Sequence, residues 1–226
     1  MRKATRIIIF AFLAWAYPHF LFAQTNDAGV IGSLSLSKDI GRNMSASIEQ
    51  ELRFNQNISS FDRSLTSVSV DYSLIKKLLK AELNYDFIYQ RQDTYFEFRH
   101  RAAASLSAQL KYNSFGFKLR TRGQSTWRDE SMGDYKFNPK YVWRNKLECE
   151  YTIFGSPVKP FVSGEIFCPL NSANGFFMDG YRAVIGAKYR MSSRTTLQFL
   201  LRYDQEVQVA NPKSIVYGGI GWNYKL

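Results

Sequence analysis

Histidine and cysteine are nearly missing from this chain, with two of each among 226 residues. His19 lies in an N-terminal apolar segment, so beyond it His100 stands alone. No Cys/His spacing suits zinc, and no Asp-rich loop carries the calcium pattern. No cofactor and no metal site is therefore predicted. A spanning helix is missing too. After Ala23 no stretch approaches the roughly 18 apolar residues that a helix needs to cross a bilayer. That excludes a helical membrane protein but leaves a membrane barrel open, because barrel strands hide their apolarity in alternation. Acid is the minority charge, 19 Asp and Glu against 30 Lys and Arg, for a formal net of +11.

What is present begins with the cationic head Met-Arg-Lys-Ala-Thr-Arg and the apolar run from Ile7 to Phe22. Leu21 and Ala23 occupy the minus-three and minus-one positions of a cleavage before Gln24. This is the pattern of a secretory signal peptide. Residues 1–23 are read as that peptide and residues 24–226 as one exported domain. Gln24 is not Cys, so a lipid-modified N-terminus is not expected. Loss of Arg2, Lys3 and Arg6 leaves a charge of about +8. An exported basic protein meets anionic membrane surfaces or anionic solutes rather than nucleic acid.

Export also raises the question of a disulfide between Cys149 and Cys168. Folding the hairpin around Gly155 to Pro157 leaves them about six residues out of register, roughly 20 Å at ~3.3 Å per residue. Bridged cysteines need Cα atoms within about 7 Å. Both are read as free, lipid-facing fillers.

From Gly29 onward the sequence divides into segments of about ten residues, alternating and closed by turn signals. "MSASIEQELRF" sets Ala46, Ile48, Leu52 and Phe54 against Ser47, Glu49, Glu51 and Arg53. "LKAELNYDFIYQ" sets Leu83, Tyr85 and Phe87 against Glu82, Asn84 and Asp86. "YVWRNKLECEY" sets Trp143, Leu147 and Tyr151 against Arg144, Lys146 and Glu148. About eleven such segments can be counted. Short turns are expected near Gly41, Lys76, Asn113, Gly155 and Ser192. Longer loops are expected in "NQNISSFD", "QRQDT", "RDESMGDYKFN", "PLNSANGFFMDG" and "QEVQVANPK".

The fold predicted is an all-β, up-and-down antiparallel transmembrane barrel of about 10–12 strands. A soluble periplasmic β-protein would alternate as well, with its apolar face inward. The membrane version is favoured by segments matching the 9–11 residues of a tilted spanning strand, by Tyr and Trp near strand ends, and by paired charges on the polar face. The ending "SIVYGGIGWNYKL" fits it: Val216, Ile220, Trp222, Tyr224 and Leu226 would face lipid. Its terminal aromatic pattern looks like the signal read by the barrel-insertion machinery.

Three stretches, "RNKLECEYTIFGSPVKPFVSGEIF", "DGYRAVIGAKYRMSSRTTLQFLLRYD" and "GGIGWNYKL", carry a further likeness. They resemble an uncharacterised family of small outer-membrane β-barrels, domain of unknown function twenty-four-ninety. The matching features are Arg144, Pro160, Glu165, Tyr181-Arg182, Tyr203 and the closing Tyr224-Lys225-Leu226. "EQELRFN" is similar to the family's early Arg-Phe strand. The resemblance implies fold and location; the family lends no agreed activity.

Catalysis finds little support. Barrel lipases and deacylases place a Ser two residues from a His on one strand, yet two residues past His100 stands Ala102, and Ser105 falls on the opposite face. Barrel proteases need an Asp/His cluster, and Asp93 and Asp179 with His100 alone do not specify one. No catalytic residue is assigned, and a lipid-modifying enzyme remains the alternative of a different class.

The predicted lumen is the informative region. Glu49, Glu51 and Arg53 project inward from one segment, and Glu82 and Asp86 from another. Arg99 and Arg101 lead to a cationic stripe continued by Lys118, Arg120 and Arg122. Arg144, Glu148, Glu165, Arg182 and Arg202 complete the candidate network, with Glu165 and Arg182 as a specific pair. Two readings stay open, a charge-paired plug that replaces an apolar core and a narrow pore preferring anions. The protein is expected to be a passive monomer, in contact with outer-membrane lipid and small anionic solutes.

Overall fold

The computed structural model describes residues 25–226 except 93, 94, 133, 134, 136, 174 and 210. Residues 1–23, read above as a signal peptide, and Gln24 lie outside the described residues. Eleven strands follow one another: β1 (Thr25–Asp39), β2 (Met44–Asn55), β3 (Ser60–Ile75), β4 (Leu79–Arg91), β5 (Phe96–Tyr112) and β6 (Phe115–Arg128), then β7 (Lys140–Tyr151), β8 (Val158–Pro169), β9 (Gly180–Arg190), β10 (Thr195–Glu206) and β11 (Lys213–Lys225). One 3₁₀ turn, Glu130–Met132, interrupts the loop before β7. Each strand pairs with its sequence neighbours, and β1 meets β11, so the sheet closes into a barrel.

Ten of these pairings are antiparallel, and the closing pairing of β1 with β11 is parallel, from Thr25 opposite Lys213 to Ser37 opposite Lys225. The expected up-and-down antiparallel barrel is present, with one parallel pair at its closure. The reason is arithmetic: strands that alternate direction around a ring of odd number must include one parallel pair. It also fixes the N-terminal end of β1 beside the loop that precedes β11. The seam is tied at its other end, where the Leu226 amide donates to the Ser37 carbonyl at 2.8 Å. Lys225 there pairs with Asp39 at 2.7 Å.

The two faces of the wall differ as the alternation dictates. Leu83 is 67% exposed on the outside, whereas Glu97 is fully buried within. Val68, Val70, Leu119, Leu147, Phe199 and Ile220 share the outer face. In water this arrangement would be unfavourable at roughly 25 cal/mol for each Å² of apolar surface. In hydrocarbon it costs nothing, and the polar interior is then the side that must be satisfied. Aromatic rings gather at the loop end of the outer wall, where Tyr89 stacks on Phe96 at 4.9 Å and packs against Phe98 at 4.8 Å. Phe115 and Tyr151 meet at 5.0 Å at the turn end. Such bands sit where a bilayer gives way to water.

Inside, two glycines let rings lie flat on the wall. A Cβ at Gly29 would stand 2.5 Å from the Tyr217 ring, and one at Gly186 would stand 2.8 Å from Phe161. Both rings are buried. Aromatic cover of this kind fills the gap that a strand glycine leaves.

The loops are less lopsided than expected. "NQNISSFD" and "QRQDT" give part of their length to strands, since β3 already begins at Ser60 and β4 runs on to Arg91. Gln56, Asn57 and Ile58 all take positive φ, and the Asp27 carboxylate accepts from the Gln56 and Asn57 amides at 2.9 Å each. That anchored tight turn does the work for which a long loop was anticipated. Residues 129–139, 170–179 and 207–212 form the longer connections.

Candidate functional site

The candidate site is the interior of the barrel, and its residues arrive there by the period of two. Three ion-paired groups are stacked along it.

At mid-height, Glu165 of β8 accepts from Arg120 of β6 at 2.9 Å and from Arg144 of β7 at 2.9 Å, and lies 3.5 Å from Arg182 of β9. Three guanidiniums thus share one carboxylate. Arg144 also reaches Gln124 at 3.0 Å, and its guanidinium lies 4.8 Å above the Phe167 ring. Beside this group, Arg122 bonds both Glu82 of β4 and Ser105 of β5. Arg101 bonds Asp86, which also accepts from Ser67 at 2.7 Å. The Arg120–Glu165 and Arg122–Glu82 bridges each vault over an intervening strand, so they fill cross-section rather than merely line the wall.

Toward the turn end the cations become lysines. Lys188 of β9 spans to Glu148 of β7 at 2.9 Å and to Glu150 at 3.0 Å, while Lys146 holds Glu148 at 2.8 Å. A cavity of about 200 Å³ opens here. A further space of about 20 Å³ is bounded by Lys118, Arg120, Lys146 and Glu148. Toward the loop end, Asp204 accepts from Arg182 at 2.7 and 3.1 Å and from Arg202 at 2.8 Å. Arg53 pairs with Glu51 and Arg63 with Asp62. Arg99 is held by Glu97 at 2.6 Å, and Tyr135 of the β6–β7 loop donates to the same carboxylate at 2.9 Å. In that loop the hydroxyl and amide of Ser131 both donate to Asp129, holding its carboxyl below the usual range.

All fourteen predicted lumen residues lie on the inward parity of their strands. Twelve join ion pairs, and Glu49 and Lys118 have no ion-pair partner among the described residues. Glu165 and Arg182 are direct cross-strand neighbours. Arg182 is held more closely by Asp204, and Glu165 by Arg120 and Arg144. Glu97 and Asp204 escaped the sequence reading. Each lies two residues from an arginine that was assigned inward, which is the signal that would have found them.

The catalytic alternatives fare differently. His100 faces outward, as expected, where its Nδ1 lies 2.7 Å from the Tyr85 hydroxyl and its ring 5.4 Å from Phe87. Ser105 faces inward on Arg122. Asp179 pairs with Lys140 at 3.2 Å, and Asp93 lies outside the described residues. Among the described residues no cluster of three metal-ligating side chains occurs. Cys149 and Cys168 are both free, with Cys149 opposite Val162 and Cys168 opposite Trp143, six residues apart on β8. Cys168 keeps the outward parity of Val162 and Ile166, but it is buried, which corrects its reading as a lipid-facing residue. In the loop after β8, Phe176 packs 6.0 Å from the ring of Trp143, the cross-strand partner of Cys168.

Among solved structures, the chain is similar to one described as the NanC porin in a rhombohedral crystal form, at 17% identity and a TM-score of 0.55. That match covers 88% of this chain and 98% of the porin, and it shows a shared barrel fold. The translocator domain of the autotransporter NalP from Neisseria meningitidis also matches, at 11% identity and a TM-score of 0.45, over 84% of this chain and 77% of that one. No curated protein sequence matches. Residues 29–214 match the family model described as Protein of unknown function (DUF2490), and the chain belongs to that family.

Proposed function

We propose that the protein is a passive outer-membrane barrel whose lumen is a narrow, ion-paired conduit preferring small anions. The observation that carries this reading is the mid-height cluster, in which Glu165 faces Arg120, Arg144 and Arg182 together. Asp204 also holds Arg182, but it shares itself with Arg202, so two carboxylates face four guanidiniums and this part of the lumen keeps a positive excess. A ring of fixed cations favours anions and rejects cations. Bridges that cross over neighbouring strands leave no room for large solutes, in keeping with the rule that wide aqueous channels need about sixteen strands.

In this reading the domain spans residues 24–226, the signal peptide is cleaved before Gln24, and the barrel-insertion machinery places a monomer in the outer membrane of a Gram-negative cell. The turn end faces the periplasm, and lipid contacts the outer wall.

Planar-bilayer recording tests the proposal. The protein should give small currents with an anion-to-cation permeability ratio above one. Arg120→Glu combined with Arg122→Glu should bring that ratio below one. A barrel that folds but passes no ions, or prefers cations, overturns the conduit.

A further inference from the structure

A second cavity, of about 350 Å³, occupies the loop end of the lumen. Its lining holds six basic residues against three acids, so it presents a cationic surface. Two of those acids are already committed, Asp179 to Lys140 and Asp204 to Arg182 and Arg202. The third, Glu206, accepts from the Lys213 amide at 3.2 Å.

The unusual feature is Arg53 opposite Arg63. They are direct register partners on β2 and β3, and both line the cavity. Like charges placed opposite each other across a strand pair repel. Each spends only its Nε, Arg53 on Glu51 and Arg63 on Asp62 at 2.9 Å. Those two carboxylates do not line the cavity. The terminal Nη groups of both arginines make no hydrogen bond among the described residues. Arg202, its guanidinium 5.3 Å from the Tyr217 ring, lines the same cavity. The Nη ends of two guanidiniums, a third guanidinium and a buried phenol thus border one space.

We infer that this cavity is a binding site for a small oxyanion, a carboxylate or phosphate group held between the Arg53 and Arg63 forks and faced by Arg202. Planar guanidinium forks match the paired oxygens of carboxylate and phosphate, and such charge-assisted bonds are about twice as strong as neutral ones. An anion between Arg53 and Arg63 would turn their repulsion into a bridge. The volume lies near the lower end of the range for small-molecule sites, which suits a short dicarboxylate or inorganic phosphate. The site deepens the anion-preferring reading by naming where the solute stops. It rests on that reading only for the sign of the solute and does not require conduction.

The test uses the full-length protein folded in detergent, with succinate or inorganic phosphate titrated against chloride at constant ionic strength. The readout is the midpoint of the heat-induced unfolding transition, followed as a change in gel migration. Both probes should raise the midpoint by several degrees, with saturation. The paired variants Arg53→Gln/Glu51→Gln and Arg63→Gln/Asp62→Asn remove each arginine with its carboxylate, leaving no orphaned charge. Each should weaken the apparent affinity at least tenfold, whereas Lys118→Gln at the turn end should leave it unchanged. Where a paired variant does not fold, Arg63→Lys keeps the charge, removes the fork and should also weaken binding. No shift at constant ionic strength, equal binding in every folded arginine variant, or equal loss in Lys118→Gln overturns the site. A barrel that conducts without these shifts would retain the conduit and lose the site; one that binds without conducting would do the reverse.

Discussion

The middle and the turn end of the lumen satisfy the same need with different cations. At mid-height the basic groups are Arg101, Arg120, Arg122, Arg144 and Arg182, and their partners are deeply enclosed: the Glu165 and Asp86 side chains are 4% and 2% exposed. At the turn end the basic groups are Lys146, Lys159 and Lys188, each more than a quarter exposed, around Glu148 and Glu150. A guanidinium presents a rigid planar fork and sheds water readily, so it suits a packed, many-partnered cluster. An ammonium is a strongly hydrated point charge on a flexible stem, so it suits an opening where water remains. The contrast separates a rigid constriction from a wet mouth.

The largest expected break in this contrast is Glu165→Gln. Removing one partner of a buried pair typically costs about 3–5 kcal/mol, because the charge left behind is uncompensated. Here three guanidiniums lose their shared carboxylate, and the unfolding midpoint in detergent should drop accordingly. A drop no larger than that of a surface substitution would mean that the cluster is hydrated after all.

A smaller effect should come from exchanging cation types. Arg144→Lys cannot reproduce the simultaneous contacts to Glu165 and Gln124. Losing charged hydrogen bonds there should cost about 1.5–3 kcal/mol. Lys146→Arg at the turn end should stay within about 0.5 kcal/mol. Equal effects of the two exchanges, measured by the same unfolding transition, would erase the distinction between the regions.

Among the carboxylate removals, Glu148→Gln should have the smaller effect. Its pairs with Lys146 and Lys188 are partly solvated, so the loss should be about 1 kcal/mol at low salt and less at high salt. A loss that does not respond to salt would place this cluster with the dry one.

Much of this was legible before any coordinates. The period of two assigns the facing of every lumen residue, because a slip of one position would turn a whole strand inside out. The register of the β7–β8 hairpin likewise separates the cysteines by six residues. Partner choice was not legible. Arg122 skips β5 to reach Glu82, and Arg120 skips β7 to reach Glu165, because the curvature of a closed wall brings non-neighbouring strands within side-chain reach. Alternation along a strand carries no information about curvature. It is equally silent about the seam, since β1 shows the same pattern whether its neighbour runs with it or against it. The burial of Cys168 at a position of outward parity is likewise something that strand periodicity does not encode.

The parallel closure has a consequence for how the molecule is made. Thr25 faces Lys213, a separation of 213 − 25 = 188 residues, and the last amide of the chain bonds to Ser37. Every other strand pairing joins sequence neighbours and can zip up locally. The ring cannot shut until β11 is available to pair with β1. Until then the protein is an open sheet with two unsatisfied borders, each able to recruit the wrong chain. Those borders are the same thirteen residue pairs that later hold the ring closed.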